Sequence, residues 1–265
     1  MDMLLSDTEI SKRIIEGYTE KFLGSLSLDV ALVGAGPANL VAGYYLGKAG
    51  LRAAIFESKL APGGGMWGGG MMFNEVVVQQ DALSVVDELG IQTRDKGEGY
   101  FTMDSVEATS SIISKCVKAG TKVFNLIKAT DVLFRDDGGT PRVSGLVLSW
   151  SPVESLGLHV DPLGIEAKFV VDGTGHPAEI CQIVSRKLDV KLRTKTGQVV
   201  GEMPLWAEKG EQFTVENTAE VFPGLYVVGM AANNAFGGPR MGPIFGGMLL
   251  SGKKAAEILI KELAV

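Results

Sequence analysis

The sequence contains very little histidine and cysteine. Its 265 residues include two histidines, His159 and His176, and two cysteines, Cys116 and Cys181. Two cysteines are too few for a disulfide framework or a cysteine-rich metal site, so the expected compartment is the reducing cytoplasm. Both lie in predicted helices, where we expect them to act as small buried hydrophobes. No serine–histidine–acid set stands out as a nucleophilic triad.

Basic charge and long apolar runs are also scarce. The 25 Lys and Arg residues face 31 Asp and Glu residues, which gives a formal net charge of −6 and a pI near 5.1. This balance argues against nucleic acid as a partner. No apolar run reaches the roughly 18 residues that a membrane span needs, and no secretory signal pattern is present at the start. We therefore expect no membrane partner.

Glycine, by contrast, is abundant and clustered. The 35 glycines concentrate at 34–36, 63–70, 173–175 and 237–247 and form no repeat. Such clusters predict places where the backbone closes tightly on a ligand. Met66, Trp67, Met71 and Met72 lie in the loop 61–72 that contains the second cluster, and we expect them to be shielded because they would otherwise leave an apolar patch in water.

The first glycine cluster has the pattern of a dinucleotide-binding turn. An apolar strand at 29–33 leads into Gly34 and Gly36, a helix follows at 40–50, and a second strand at 51–56 ends in Glu57. Gly34 permits the tight turn, Gly36 lets the backbone approach a pyrophosphate, and Glu57 suits a ribose hydroxyl. Asn39 stands where the pattern has a third glycine. NAD and FAD both fit, and a tight turn without a nucleotide is the alternative.

The remaining periodicity predicts a doubly wound, Rossmann-type α/β fold with an additional β-hairpin or antiparallel layer. We predict one domain over 1–265, with an N-terminal helix at 6–24 and an inserted β segment at about 131–165. A turn at Asp136–Gly139 would join the two strands of a hairpin over 131–150. The other predicted elements are helices at 79–89, 104–119 and 252–264, strands at 122–126, 129–134, 168–171 and 225–228, and an irregular stretch at 186–213.

Two groups of residues suggest chemistry beyond the nucleotide turn. His159, Asp161 and His176 lie on either side of one predicted strand, and imidazole with carboxylate suits a divalent transition metal. On spacing alone, two unrelated loop histidines are the alternative. Arg240 is the one charged residue between Glu220 and Lys253. Its guanidinium could grip a carboxylate in a bidentate manner or simply satisfy exposed carbonyls, and both interpretations stay open.

Taken together, these motifs resemble the thiamine thiazole synthase family of archaea and eukaryotes. The most specific matches are Glu57-Ser58 with 61–67, the run 159–162, Gly173 to His176, and Gly229-Met230 with 240–246. The resemblance implies a flavoprotein-like dinucleotide-binding fold in which NAD is consumed. Nicotinamide leaves, the ring-opened ADP-ribose condenses with glycine, sulfur enters, and an ADP-linked thiazole carboxylate forms with the help of Fe(II).

The resemblance also implies roles for individual residues. Asp161 and His176 would bind Fe(II), and Arg240 would hold the glycine carboxylate. Eukaryotic members have a sulfur-donating cysteine where this chain has His159, so the chain resembles the archaeal type, which uses free sulfide and assembles as a homo-octamer. His159 would act as a base or position sulfide. The expected NAD contacts are Gly34, Gly36, Ala38, Glu57, Ser58, Gly65, Thr130, His159, Asp161 and Met230, with an ambiguous register around Thr130.

Three other functions remain open at this point. An FAD-dependent oxidoreductase of the same fold would carry bound yellow flavin. A ribose 1,5-bisphosphate isomerase would use similar ring-opening and tautomerisation chemistry. A non-catalytic NAD-binding module would have no need of Asp161, His176 and Arg240.

Overall fold

The computed structural model describes residues 5–136, 139 and 141–264. Within them, no helix is both long and apolar enough to cross a membrane. The helices are α1 (Asp7–Leu23), α2 (Pro37–Lys48), α3 (Leu83–Glu88), α4 (Ser105–Lys118), α5 (Ser151–Ser155), α6 (Glu179–Lys187), α7 (Ala207–Glu216), α8 (Met230–Phe236) and α9 (Gly246–Leu263). The strands are β1 (Ser27–Val33), β2 (Ala53–Glu57), β3 (Glu75–Gln79), β4 (Arg94–Asp95), β5 (Tyr100–Asp104), β6 (Lys122–Asn125), β7 (Ile127–Asp136), β8 (Pro141–Trp150), β9 (Leu163–Asp172), β10 (Ala219–Phe222) and β11 (Leu225–Val227).

A mostly parallel sheet forms the centre of the fold, with the strand order β10-β11-β9-β1-β2-β6. The pairs β1–β2, β1–β9, β9–β11 and β2–β6 are all parallel, while β10 pairs antiparallel to β11 at one edge. The carboxyl ends of the parallel strands β1, β2, β6, β9 and β11 therefore meet along one edge of the sheet, where open α/β sheets bind ligands. The predicted Rossmann-type α/β fold is confirmed.

Residues of β1 are buried on both faces of this sheet, which explains the unbroken apolar run. Val30 and Leu32 pack with α2, α4 and α9 on one face. Ala31 and Val33 pack on the other face with α6 and with the antiparallel strands β7 and β8. A strand covered on both sides has no place for alternating polar residues.

The additional antiparallel layer is a long hairpin. β7 pairs with β8, and β8 pairs in turn with the first half of β9. The hairpin begins at Ile127, four positions before the predicted start at 131. The predicted turn at Asp136–Gly139 includes positions 137 and 138, which lie outside the described residues. A second antiparallel sheet, β3-β5-β4, has no counterpart in the prediction.

Several predicted boundaries are wrong for identifiable reasons. The helix expected at 79–89 is present as a 3-10 turn at Gln80–Ala82 that continues into α3, but Gln79 belongs to β3, whose Val76 and Val78 are fully buried. The stretch 186–213 is not irregular throughout, since α7 begins at Ala207. The closing helix starts at Gly246 rather than at 252, because its glycines pack closely against Glu211 and Ala38.

Candidate functional site

A cavity of about 720 Å³ opens at the carboxyl ends of the parallel strands. The turns after β1, β2 and β9, the glycine-rich segment 64–71, the start of α8 and the segment before α9 all contribute to its wall. Sites for small molecules in proteins commonly measure about 300–1,000 Å³. The cavity thus joins all four glycine clusters of the sequence in one place.

The turn after β1 forms the floor of the cavity. Gly34 has φ of +85°, and a Cβ there would lie 2.7 Å from the Gly173 carbonyl oxygen, so only glycine fits. Glu57 is buried at the end of β2, and its Oε2 accepts a hydrogen bond of 2.7 Å from the Ala35 backbone N–H. The predicted acidic residue therefore faces the predicted glycine turn, with both in the cavity wall.

Asn39 braces this turn in the place of a third glycine. It is almost fully buried, and its Nδ2 donates to the carbonyl oxygens of Val33 and Gly34 at 2.8 and 2.9 Å. A Cβ on Gly173 would lie 2.3 Å from the Asn39 Nδ2 atom. The amide side chain thus fixes the floor and excludes any larger residue at 173.

A second turn, after β9, presents His176 to the cavity. Asp172 is fully buried, and its Oδ1 accepts from the N–H and hydroxyl of Thr174. Its Oδ2 accepts from the N–H groups of Ile180 and Cys181, each at 3.0 Å. One carboxylate therefore holds both sides of the turn, and the half-exposed His176 ring projects from it into the cavity wall.

Glu202 contacts the His176 ring, a pairing that the sequence does not predict. The Nδ1 atom of His176 lies 2.7 and 2.9 Å from the two carboxylate oxygens of Glu202. The Nε atom of Arg240 lies 4.0 Å from Glu202 Oε2. Glu202 is 26 residues from His176, and nothing in the local sequence indicates this contact.

Helix α7 supports the segment that carries Arg240. The Thr214 hydroxyl of α7 contacts Asn233 Oδ1 at 2.8 Å, and Asn233 Nδ2 donates to the Pro239 carbonyl oxygen at 2.8 Å. A Cβ on Gly210 would lie 2.9 Å from the same carbonyl oxygen, so the helix packs directly on the segment. Arg240 itself lines the cavity with a largely exposed side chain.

The same helix contains a buried carboxyl group, Glu211. Its Oε2 accepts a hydrogen bond of 2.7 Å from Gly247 N–H at the start of α9, while Oε1 is buried without a hydrogen-bond partner in the described residues. Burial raises the pKa of Glu211 to about 7, against the opposing effect of the Gly247 hydrogen bond. The folded protein therefore binds this proton more tightly than the unfolded chain does.

Glu211→Gln should change how stability depends on pH. Because the folded pKa is raised, the wild-type free energy of unfolding includes a part that is lost as pH rises from 4.5 to about 7. The shift corresponds to about 3 kcal/mol. Glutamine does not ionise, so the stability of the variant relative to wild type should rise by about that amount between about pH 4 and pH 8. Denaturant unfolding at both pH values measures it, and a constant difference would contradict it.

Most of the predicted site residues come together at the cavity. Its wall contains Gly34, Gly36, Ala38, Glu57, Ser58, Gly65, His176, Met230 and Arg240. Thr130 is not part of this wall, although its neighbour Ala129 is; the register of β7 shifts between Ala129 and Asp131, and the Thr130 hydroxyl donates to the Val147 carbonyl oxygen. His159 and Asp161 are also absent from the wall. Both are exposed in the segment 156–162 between α5 and β9.

The glycine-rich segment 64–71 is only partly shielded, which corrects one expectation. Met66 is buried at 1% exposure, and Trp67 donates from Nε1 to the Pro62 carbonyl oxygen. Met71 and Met72, however, are 76% and 93% exposed in the single chain, and both have positive φ angles. Of the two, Met71 lines the cavity.

Both cysteines are fully buried, as predicted. Burial raises the pKa of the Cys116 thiol to about 12. Burial and the nearby Asp172 carboxylate raise the pKa of Cys181 well above its ordinary value. Neither side chain lines the cavity, and neither is a reactive thiolate near neutral pH.

The parallel sheet, the glycine turn and the acidic residue at the end of β2 define a flavoprotein-like dinucleotide-binding fold. A geranylgeranyl bacteriochlorophyll reductase-like protein of Thermoplasma acidophilum shares this fold, with a TM-score of 0.55 at 14% identity over 90% of this chain and 79% of that one. More specifically, the chain belongs to the Thi4 family, whose model matches residues 11–245.

Individual relatives match over nearly the whole length. The thiamine thiazole synthases of Methanothermobacter thermautotrophicus and Desulfosudis oleivorans are each 53% identical over 98% of this chain and 100% of the relative. The crystal structure of Thermovibrio ammonificans THI4 has a TM-score of 0.96 at 52% identity, covering 99% of this chain and 100% of that one. The family resemblance inferred from the motifs is confirmed.

Proposed function

We propose that this chain is a thiamine thiazole synthase that builds an ADP-linked thiazole carboxylate from NAD, glycine and free sulfide with the help of Fe(II). The observation that supports this most directly is the arrangement of Glu57, His176 and Arg240 around one cavity. An acid for ribose, an imidazole for a metal and a guanidinium for a carboxylate are the three groups that the proposed reaction requires.

The floor of the cavity suits the dinucleotide. The pyrophosphate of NAD would lie at the N-terminus of α2, where Gly36, Pro37 and Ala38 line the wall and the helix dipole favours negative charge. Glu57 would accept hydrogen bonds from ribose hydroxyls with the lone pairs that Ala35 and Lys59 leave free. Ser58, Gly65 and Met230 would complete the contacts.

The metal ligands fit Fe(II) in part. His176 borders the cavity, and Glu202 occupies its Nδ1, which leaves Nε2 as the ring nitrogen available to a metal. Among the described residues, no three His, Cys, Asp or Glu side chains are grouped closely enough to hold a metal ion. His176 and Asp161 would therefore hold the iron together with substrate atoms. Bound Fe(II) would organise the glycine-derived groups for ring closure.

Asp161 and His159 must approach the cavity for this proposal to hold. Either the exposed segment 156–162 moves, or the segment of another copy of the chain contributes them. Assembly is part of the proposal, since we expect a homo-octamer. The exposed apolar side chains that it would cover include Met71, Met72, Phe73, Leu156, Leu158, Val160, Leu205 and Trp206. Light scattering of the purified protein would measure the number of copies.

Anaerobic reconstitution tests the proposed function. Protein incubated with NAD, glycine, Fe(II) and sulfide should release nicotinamide and form an ADP-linked thiazole carboxylate, detected by mass spectrometry after denaturation. Omitting glycine should stop thiazole formation. A yellow flavin spectrum in the purified protein would favour an oxidoreductase instead. Turnover of ribose 1,5-bisphosphate without thiazole formation would favour the isomerase, and binding of NAD without any product would favour a non-catalytic module.

Arg240→Gln should weaken glycine binding and so impair condensation with glycine, while NAD cleavage continues. Glutamine is shorter and uncharged, so the bidentate contact with the glycine carboxylate is lost. We expect the KM for glycine to rise by at least about tenfold, since hydrogen bonds to a charged group contribute about 1.5–3 kcal/mol. Steady-state rates against glycine concentration measure this. Arg193→Gln, at a surface ion pair with Glu220, is the control, and an unchanged glycine KM in Arg240→Gln would contradict the assignment.

A further inference from the structure

Glu202 occupies an unusual position between two candidate site residues. Its side chain is only 15% exposed, and it lies 2.7 Å from the Nδ1 atom of His176 and 4.0 Å from the Nε atom of Arg240. The proposed reaction assigns no contact between Glu202 and a substrate. Burying a charge is costly unless it is paired, so its presence requires an explanation.

The backbone around Glu202 is fixed to the same elements as its two partners. Gly201 N–H donates to the Asn234 carbonyl oxygen at 3.0 Å, and Met203 N–H donates to the Gly238 carbonyl oxygen at 2.9 Å. The Asn234 side chain in turn donates to the His176 carbonyl oxygen at 2.6 Å. Asn234 therefore links the backbone of Glu202 to that of His176. These hydrogen bonds hold the two segments together, in addition to the contact between the carboxylate and the imidazole.

We propose that Glu202 is the positioning residue for the metal ligand His176. Its carboxylate accepts the Nδ1 hydrogen of the ring, which fixes the ring orientation and leaves the Nε2 lone pair for the metal. Histidines that bind metals commonly donate their other ring N–H to a carboxylate, which sets the tautomer and increases the basicity of the ligand. The inference rests on the proposed function, because it assumes that His176 binds iron.

Arg240 adds positive charge beside the same carboxylate. Its Nε lies 4.0 Å from Glu202 Oε2, the oxygen that is also 2.9 Å from His176 Nδ1, so the guanidinium partly compensates the charge of the half-enclosed carboxylate. The terminal nitrogens of Arg240 stay available for a substrate carboxylate. Glu202 therefore contacts the candidate metal ligand directly and lies near the candidate carboxylate clamp.

Metal affinity tests this role without reference to activity. The probe is Co(II) alone, titrated into the full chain under anaerobic conditions and followed by its visible absorption. Glu202→Gln should weaken binding about 10- to 100-fold, the usual effect of losing such an outer partner. Glu220→Gln, which alters a similarly enclosed carboxylate paired with Arg193, should bind like wild type. NAD affinity and thermal unfolding verify that each variant is folded.

His176→Ala separates this inference from the function on which it rests. If His176→Ala loses metal affinity and Glu202→Gln keeps it, Glu202 is not a positioning residue and the ligand assignment stands. If His176→Ala binds Co(II) like wild type, the ligand assignment fails and the inference fails with it.

A second measurement leaves Glu202 and His176 unchanged and determines which ring nitrogen of His176 carries the proton. The chain has two histidines, so ¹⁵N-labelled imidazole gives two sets of NMR signals, and His159→Gln identifies those of His176. We expect a proton on Nδ1 of His176 in the metal-free protein. A ring whose single proton resides on Nε2 would overturn the inference, because that nitrogen could not then face a metal as a ligand.

Discussion

His176→Ala should reduce iron-dependent thiazole formation at least about 100-fold. Losing a residue that only hydrogen-bonds to a metal ligand typically costs about 10- to 100-fold in metal affinity or activity, and losing the ligand itself should cost more. Asp161→Ala should have a similar effect. With two protein ligands, the metal keeps open positions for substrate, but the loss of either ligand leaves too few protein contacts to retain it. NAD should still bind to both variants, because the floor of the cavity is formed by Gly34, Gly36 and Glu57.

The measurement compares product formation with NAD affinity in the same preparations. Thiazole is quantified by mass spectrometry, and NAD binding by calorimetry. Glu154→Ala is the matched control for Asp161→Ala, because Glu154 is an exposed carboxylate in α5 beside the same segment. Full iron-dependent turnover in either site variant would remove that residue from the ligand set. Loss of NAD binding as well would show that the change disturbs the cavity and not only the metal.

The sequence was most informative where local pattern determines structure. The strand at 29–33, the turn at Gly34 and Gly36, and Glu57 at the end of the next strand were all predicted, because each depends on neighbouring residues. A buried parallel strand needs a continuous apolar run, and its turn needs glycine. These requirements can be recognised in the sequence without any knowledge of the rest of the chain.

The elements that were missed depend on distant residues. Helix α7 contains Gly210, which disfavours a helix, yet glycine is needed there because the Pro239 carbonyl oxygen lies against it. Glu202 contacts His176 only because the backbone near 200–203 runs beside 234–238. Neither interaction has a local sequence signal. The position of Asp161 outside the cavity wall likewise depends on tertiary structure, and spacing along the chain could not indicate it.

The source of sulfur determines how many times each protein molecule can turn over. A chain that donates its own cysteine sulfur stops after one turnover and becomes lighter by the mass of hydrogen sulfide. The family resemblance implies that eukaryotic members have that cysteine at the position of His159, a side chain that has no sulfur to give. Cys116 and Cys181 are fully buried, their pKa values are raised by burial, and neither reaches the cavity. We therefore expect external sulfide to be the sulfur source.

With NAD, glycine, Fe(II) and sulfide supplied anaerobically, the amount of thiazole should exceed the amount of protein in moles. The intact protein mass should not change. Cys116→Ala and Cys181→Ala should keep activity, because both thiols serve in packing and the loss of one sulfur atom from the core leaves the cavity wall in place. Electrospray mass spectrometry of the protein and quantification of product test both statements. Thiazole formed without added sulfide, with dehydroalanine at either cysteine, would show that the chain itself supplies the sulfur.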